Sequence, residues 1–304
     1  MISAYGPTSH ELGGKPVGGA REWLVVTAPT PEEREQVLAL GVPAELVRDA
    51  LDADEMSRVD HHETGAKLFV LRVPVAAGAD GEVVPLGVVT LAGGGGVIIC
   101  AAATGIPEML AVDEHAWSSP TTFMLRLAVH VAERFVKTLR AIDDQVTALE
   151  IKLRQALEND EILGLLDYQK RLVHLVTALA ANQLVLERVL EDDRLALSGA
   201  ERVLVDDVLV EIRQAATMAR TQKELLGETM DALATVVSNN LNVAMKKLAS
   251  LTLLVSVPAL LAGLYGMNVG LPLSHYPHAF VVVLGVAGAA VVILGALLRA
   301  RRWL

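Results

Sequence analysis

The chain has 304 residues, of which 52% are hydrophobic and 20% charged, with a mean hydropathy of +0.43. That is too apolar for an ordinary soluble protein and too charged for a bundle of membrane spans alone. All 36 acidic residues precede Lys246, whereas Lys246, Lys247, Arg299, Arg301 and Arg302 lie in the remainder, so the first part carries about −15 and disfavours nucleic acid, whose phosphates demand clustered Lys and Arg.

Residues 1–21 are rich in Gly, Pro and Ser and read as flexible, with no basic start followed by an apolar run, so no signal peptide is expected. The run Glu22-Trp23-Leu24-Val25-Val26-Thr27 has strand composition. Thr30-Pro31-Glu32-Glu33 marks a helix start, with Thr30 as cap and Glu33 placed to close a capping box. A second short helix is expected from Ala44 to Asp52. Strands are expected at 67–75, 84–91 and 97–101, separated by glycine-rich turns at 78–81 and 93–96. The glycine run 93–96 lacks a following Gly-Lys-Ser/Thr and precedes a strand, so it reads as a hairpin turn rather than a phosphate loop. Cys100, the one cysteine, sits in an apolar run and reads as a buried thiol; it excludes a disulfide framework. His61 and His62, being adjacent, would point to opposite sides of a strand and do not read as a metal pair.

From Thr121 to Val257 there is no proline, and helical spacing such as Leu139, Ile142, Val146, Leu149 and Leu153 recurs. Breaks at Asn159-Asp160 and Ser198-Gly199 predict helices over about 120–157, 161–194 and 200 onward. If the third runs to Tyr265 it is about 100 Å long at roughly 1.5 Å per residue, which calls for partners along it and hence an oligomer.

Two almost wholly apolar segments follow, Leu248 to Tyr265 and Ala279 to Leu298, each near the length that spans a bilayer core. The short link between them predicts an antiparallel hairpin. Basic residues flank its start and end, so both termini are expected in the cytoplasm. Asn242, Met245, Ala249, Thr252, Ser256, Ala259 and Gly263 form one stripe at steps of three and four. Small residues of this kind either let helices pack closely or line a water-filled path in an oligomer. Pro258 is tolerable within a span. The second segment carries Gly285, Gly288 and Gly295 but no ionisable group, and is expected to lie outside the first.

Tyr265-Gly266-Met267-Asn268 lies between these terminal spans, after Ala262-Gly263-Leu264 and the segment Asn242-x-x-Met245-Lys246-x-Leu248, and before the tail Arg301-Arg302-Trp303-Leu304. In this setting the tripeptide resembles the signature of the CorA family of magnesium transporters, and Asp54-Glu55-x-Ser57-Arg58-Val59 resembles an N-terminal segment of the same family. The resemblance implies an α+β cytoplasmic domain (1–118), a long helical stalk or funnel (119–247) and a two-helix transmembrane domain (248–304), assembled as a funnel-shaped homopentamer in the cell inner membrane. It implies that Gly266 and Asn268 face a hydrated cation at the outer mouth, that Asn242 forms a polar ring in the pore, and that Met245 and Leu248 form a hydrophobic gate. Such an arrangement suits Mg²⁺, which holds its water shell tightly and prefers oxygen ligands.

The resemblance further implies inhibition by intracellular Mg²⁺ bound between neighbouring domains. Asp206, Asp207 and Glu211 lie on the matching part of the third long helix, with Asp207 and Glu211 on one face; a merely solvated face is the other reading. This sequence departs from the family's pattern at Ser256, at Ala259 and in the loop Leu271-Pro272-Leu273-Ser274-His275, which lacks an acidic residue. Three function classes are in view. They are a passive Mg²⁺ channel with no cofactor and with Mg²⁺ as substrate and regulatory ligand, a related Zn²⁺ or Co²⁺ transporter favoured by His275 and His278, and a membrane-anchored enzyme. Against the enzyme stands the lack of a paired-carboxylate, Ser-His or phosphate-loop arrangement.

Overall fold

A computed structural model describes residues 2–6, 9–12, 23–75, 81–92, 95–101, 119–155, 159–267, 269–270, 272 and 277–303. The chain divides into two compact units, Met1–Gly227 and Glu228–Leu304.

The first unit contains a seven-stranded sheet. Its strands are β1 (Ile2–Gly6), β2 (Ser9–Leu12), β3 (Trp23–Thr27), β4 (Arg58–His61), β5 (Lys67–Pro74), β6 (Val83–Thr90) and β7 (Gly96–Cys100), in the spatial order β2-β1-β3-β7-β6-β5-β4. Only the β3–β7 pair is parallel, Val25 lying opposite Ile98; the other pairs are antiparallel. Helices α1 (Pro31–Ala39) and α2 (Ala44–Leu51) intervene between β3 and β4.

Alternation along the strands divides two cores. Leu24, Val26, Leu68, Val70, Val89, Val97 and Ile99 pack with Val37, Leu46, Val47 and Ala50 of α1 and α2. The opposite face meets the long helices α3 (Pro120–Gln155) and α4 (Asn159–Glu191), and there Trp23 stacks on Phe123 with ring centroids 4.1 Å apart. Covering both faces explains why β5, β6 and β7 are apolar almost throughout instead of alternating. Two glycines are required by close approach. A Cβ on Gly87 would stand 2.4 Å from that of Ala50, so α2 lies directly over β6; one on Gly96 would stand 2.6 Å from the Trp23 ring.

The capping box of α1 forms as its residue types dictate: Glu33 N–H donates to Thr30 Oγ1 and Thr30 N–H to the Glu33 carboxylate. The N-terminal segment does not match its expected flexibility, since residues 2–6 and 9–12 are strands. β1 joins the edge of β3 through backbone groups, Ile2 opposite Val26, and backbone pairing needs no apolar pattern in the added strand. β4 was likewise absent from the expected strands. It is a short polar strand that, among the described strands, pairs with β5 alone, an edge position that tolerates charge.

Helix α5 (Gly199–Tyr265) starts in the first unit and continues through Pro258 in the second, and α6 (Ala279–Ala300) follows. The end of α4 falls earlier than expected because Asp192 caps the 3₁₀ turn Asp193–Leu195, its carboxylate accepting from Arg194 N–H, and Ala196 then adopts a left-handed conformation (φ 48°). At the start of α5, Glu201 accepts from Ser198 N–H and from the hydroxyls of Ser119, Thr122 and Ser198, which ties the first turns of α3 and α5 together.

Candidate functional site

Among the described residues three helices are long and apolar enough to cross a membrane: Asp160–Glu191, Gly199–Tyr265 and Ala279–Ala300. They differ in how much of the apolar window the fold uses. In α4 44% of it is buried, against 6% in α5 and 11% in α6. The apolar face of α4 is spent on the sheet and on α3, where Leu165, Leu172, Leu175, Leu179 and Leu186 are fully or almost fully buried. The apolar surfaces of the end of α5 and of α6 lie open, a pattern that water does not support.

Within the second unit the end of α5 has two faces. Ser250, Leu254, Val257, Pro258 and Leu261 are the less exposed positions, and Leu254 Cδ2 lies 3.8 Å from where a Cβ on Gly295 of α6 would stand. Asn242, Met245, Ala249, Thr252, Ser256, Ala259 and Gly263 are all exposed, and at 100° per residue they centre on the opposite side of the helix. Thr252 and Ser256 donate their hydroxyls to the carbonyls one turn back, Leu248 O at 2.9 Å and Thr252 O at 2.7 Å. Each hydroxyl is thus satisfied as a donor while its oxygen keeps acceptor capacity outward. Met245 and Leu248 are 58% and 59% exposed, so neither serves as core.

Tyr265 ends α5, and Gly266 and Met267 form the turn after it, with Gly266 N–H bonded to Ala262 O and Met267 N–H to Leu264 O. Asn268, Leu271, Leu273, Ser274 and His275 lie outside the described residues. His278 precedes α6. Asp206, Asp207 and Glu211 are exposed on α5, and among the described residues no three His, Cys, Asp or Glu side chains come together as a metal-holding group. His61 and His62 part company: His61 Nε2 lies 2.7 Å from Asp192, and His62 Nδ1 2.9 Å from Thr64 Oγ1.

Two polar clusters went unread in the sequence. Arg58, in the Asp54–Val59 segment, pairs with Asp49 at 2.6 Å and with Glu55 at 3.1 Å, and joins α2 to β4. Asp192 receives the Arg194 guanidinium, whose hydrogen bonds, with that of Arg194 N–H and of His61, hold its carboxyl well below the usual carboxylate range despite burial. Their partners are distant in sequence or of common type, so spacing carried no signal.

Similarity to known proteins adds to this geometry. The cobalt/magnesium transport protein CorA of Methanocaldococcus jannaschii is 26% identical over 175 residues, 57% of this chain and 55% of that protein, so the match spans about half the relative's length. The complete structure of the CorA magnesium transporter from Methanocaldococcus jannaschii superposes with a TM-score of 0.83 at 20% identity, covering 100% of this chain and 99% of that one; the likeness is one of fold. The ZntB cytoplasmic domain from Vibrio parahaemolyticus gives a TM-score of 0.52 at 9% identity, over 76% of this chain and 98% of the other. The model of the CorA-like Mg²⁺ transporter protein family matches residues 19–301, which take in strands β3 to β7, the long helices and both apolar helix ends, and the chain belongs to that family.

Proposed function

We propose that the protein is a passive channel for hydrated divalent cations, Mg²⁺ foremost, built as a homopentamer with two spans per chain and both termini in the cytoplasm. The observation that carries the reading is the exposed stripe from Asn242 to Gly263, which faces away from α6 and presents hydroxyl oxygens amid Leu and Val. One such stripe per chain encloses nothing; several copies around an axis make a path whose oxygens accept hydrogen bonds from a cation's water shell. In this path Asn242 is a polar ring, Met245 and Leu248 are the hydrophobic constriction, and Gly266 with Asn268 forms the outer mouth. α4 remains outside the membrane because its apolar face is already covered.

Asp207 and Glu211 are the proposed regulatory ligands for intracellular Mg²⁺. Exposed and four residues apart, they are available to share an ion with a carboxylate of a neighbouring copy, and the ion favours the closed state only if it binds that state more tightly. The alternative cargo, Co²⁺ or Zn²⁺, draws support from the relative named for both cobalt and magnesium and from His278 at the start of α6. No nucleic acid, cofactor or ATP enters the proposal. Purified protein in liposomes is the test: Mg²⁺ should enter down its gradient without ATP and ahead of Co²⁺ and Zn²⁺. A higher uptake of Zn²⁺ or Co²⁺ would transfer the assignment, and no uptake of any of the three would end it.

A further inference from the structure

One hydroxyl ties the end of α5 to the turn that follows α6. Ser250 is 0% exposed, and its Oγ–H lies 2.8 Å from the carbonyl of Lys246, one turn earlier on α5, and 3.3 Å from the carbonyl of Trp303. Those two legs limit the separation of the carbonyl oxygens to no more than their sum, so the backbone at Lys246 and the backbone at Trp303 meet at one level.

Trp303 is delivered to that point by a defined turn. Arg302 N–H bonds Arg299 O at 3.0 Å and Trp303 N–H bonds Leu298 O at 2.9 Å, the double closure of a Schellman motif, with Arg302 in the left-handed region at φ 57°. Glycine takes this position at least cost. An arginine there is strained, and it adds charge to a place that already has much of it. Lys246, Lys247, Arg299, Arg301 and Arg302 are all exposed, no Asp or Glu follows Asp231 in the sequence, and none of the five makes an ion pair among the described residues. Five cations gathered with no carboxylate partner among the described residues repel one another. Trp303, 39% exposed, stands in the same turn with an apolar ring and a polar N–H, the combination found where a span meets the headgroup layer.

We propose that Lys246, Lys247, Arg299, Arg301, Arg302 and Trp303 form a binding site for the phosphate-bearing headgroup of an anionic phospholipid. The Ser250–Trp303 latch and the left-handed turn at Arg302 hold the two basic groups together, and the bound phosphate relieves their repulsion. This rests on the reading of α5 and α6 as membrane spans. Because Lys246 lies on the same helix as the proposed gate at Met245 and Leu248, the lipid would brace the helix beside that gate.

The full-length protein in neutral detergent, offered equal amounts of phosphatidylcholine and phosphatidylglycerol and analysed by native mass spectrometry, should retain phosphatidylglycerol at least about tenfold in excess, since each basic group near an anionic surface contributes roughly a fivefold preference. Replacing all five basic residues by Gln should bring the ratio near one. Arg302→Gly separates lipid binding from a structural role. It suits the turn, so its thermal midpoint should equal or exceed the parent's, while the lipid preference falls about fivefold. An unchanged preference in Arg302→Gly or in the five-Gln variant overturns the proposal, as does displacement of the lipid by an equal concentration of inorganic phosphate or glycerol phosphate. Equal retention of both lipids by a protein that still floats with vesicles refutes this site alone. A protein that floats with vesicles of neither composition refutes the membrane reading itself.

Discussion

Replacing Asn182 with Ala is expected to loosen the joint between the sheet and α4 more than its single side chain suggests. Strand β4 pairs with β5 no further than Arg58 opposite Val70, which leaves the β4 side of Arg72 without a neighbouring strand. On the other side Arg72 lies opposite Pro85, which has no N–H to give. The Asn182 amide fills the open side as a strand residue would: its oxygen accepts from Arg72 N–H at 2.8 Å and from Ser57 Oγ–H at 2.9 Å, and its NH₂ donates to Arg72 O at 2.7 Å. Asn182 is 1% exposed, so water does not substitute without rearrangement. An unmet buried backbone group costs about 1–3 kcal/mol, so the two groups of Arg72 amount to roughly 2–6 kcal/mol in Asn182→Ala. At about 2–4 °C per kcal/mol for a domain of this size, the apparent midpoint of the detergent-purified protein should fall by roughly 4–24 °C in a thermal melt. Asn182→Asp keeps the acceptor but sets a buried carboxylate against Arg72 O, and at neutral pH should lower the midpoint at least as far. A midpoint within about 1 °C of the parent in Asn182→Ala would show that the amide does not act as a surrogate strand.

Gly87→Val should destabilise by about 1–3 kcal/mol or more, since even a Cβ there meets Ala50, and the melt of the full-length protein checks it. The Asp192 carboxyl is held low chiefly by Arg194, so the stability it contributes is present above the unfolded carboxylate range near pH 4 and is lost as pH falls towards the folded value. The midpoint difference between parent and Asp192→Asn should therefore hold above about pH 4 and shrink below it; a difference that grows on acidification contradicts this. Asp207→Ala should make Mg²⁺ uptake into liposomes less sensitive to Mg²⁺ on the cytoplasmic side, and unchanged inhibition would place the regulatory site elsewhere. Asn268→Ala should abolish selective uptake while assembly, followed by mass measurement, persists; transport at the parental rate would remove Asn268 from the ion-selecting mouth.

Much of the architecture was legible because it depends on local chemistry. The Thr30 cap with Pro31 and Glu33 fixes the start of α1, and the apolar runs separated by glycine give β5, β6 and β7. Absence of proline with heptad-like leucines gives the long helices, and the loss of every acidic residue after Asp231 marks the apolar ends. The stripe from Asn242 to Gly263 was also readable, since helical spacing alone aligns it.

What only the tertiary structure decided involves partners distant along the chain. β1 and β4 are strands because an edge was available to receive their backbones, a fact that their own short sequences do not encode. Asn182 and Arg72 are 110 residues apart, His61 and Asp192 131, and Ser250 and Trp303 53; only folding brings each pair within hydrogen-bond reach. By length and composition α4 also qualifies to span a membrane, though it is less apolar than the end of α5, and the covering of its apolar face by the sheet and α3 sets it further apart. Periodicity states which residues share a face of a helix, but what that face meets is settled by burial, because the same apolar stripe lowers free energy against a sheet, a second helix or a lipid tail alike.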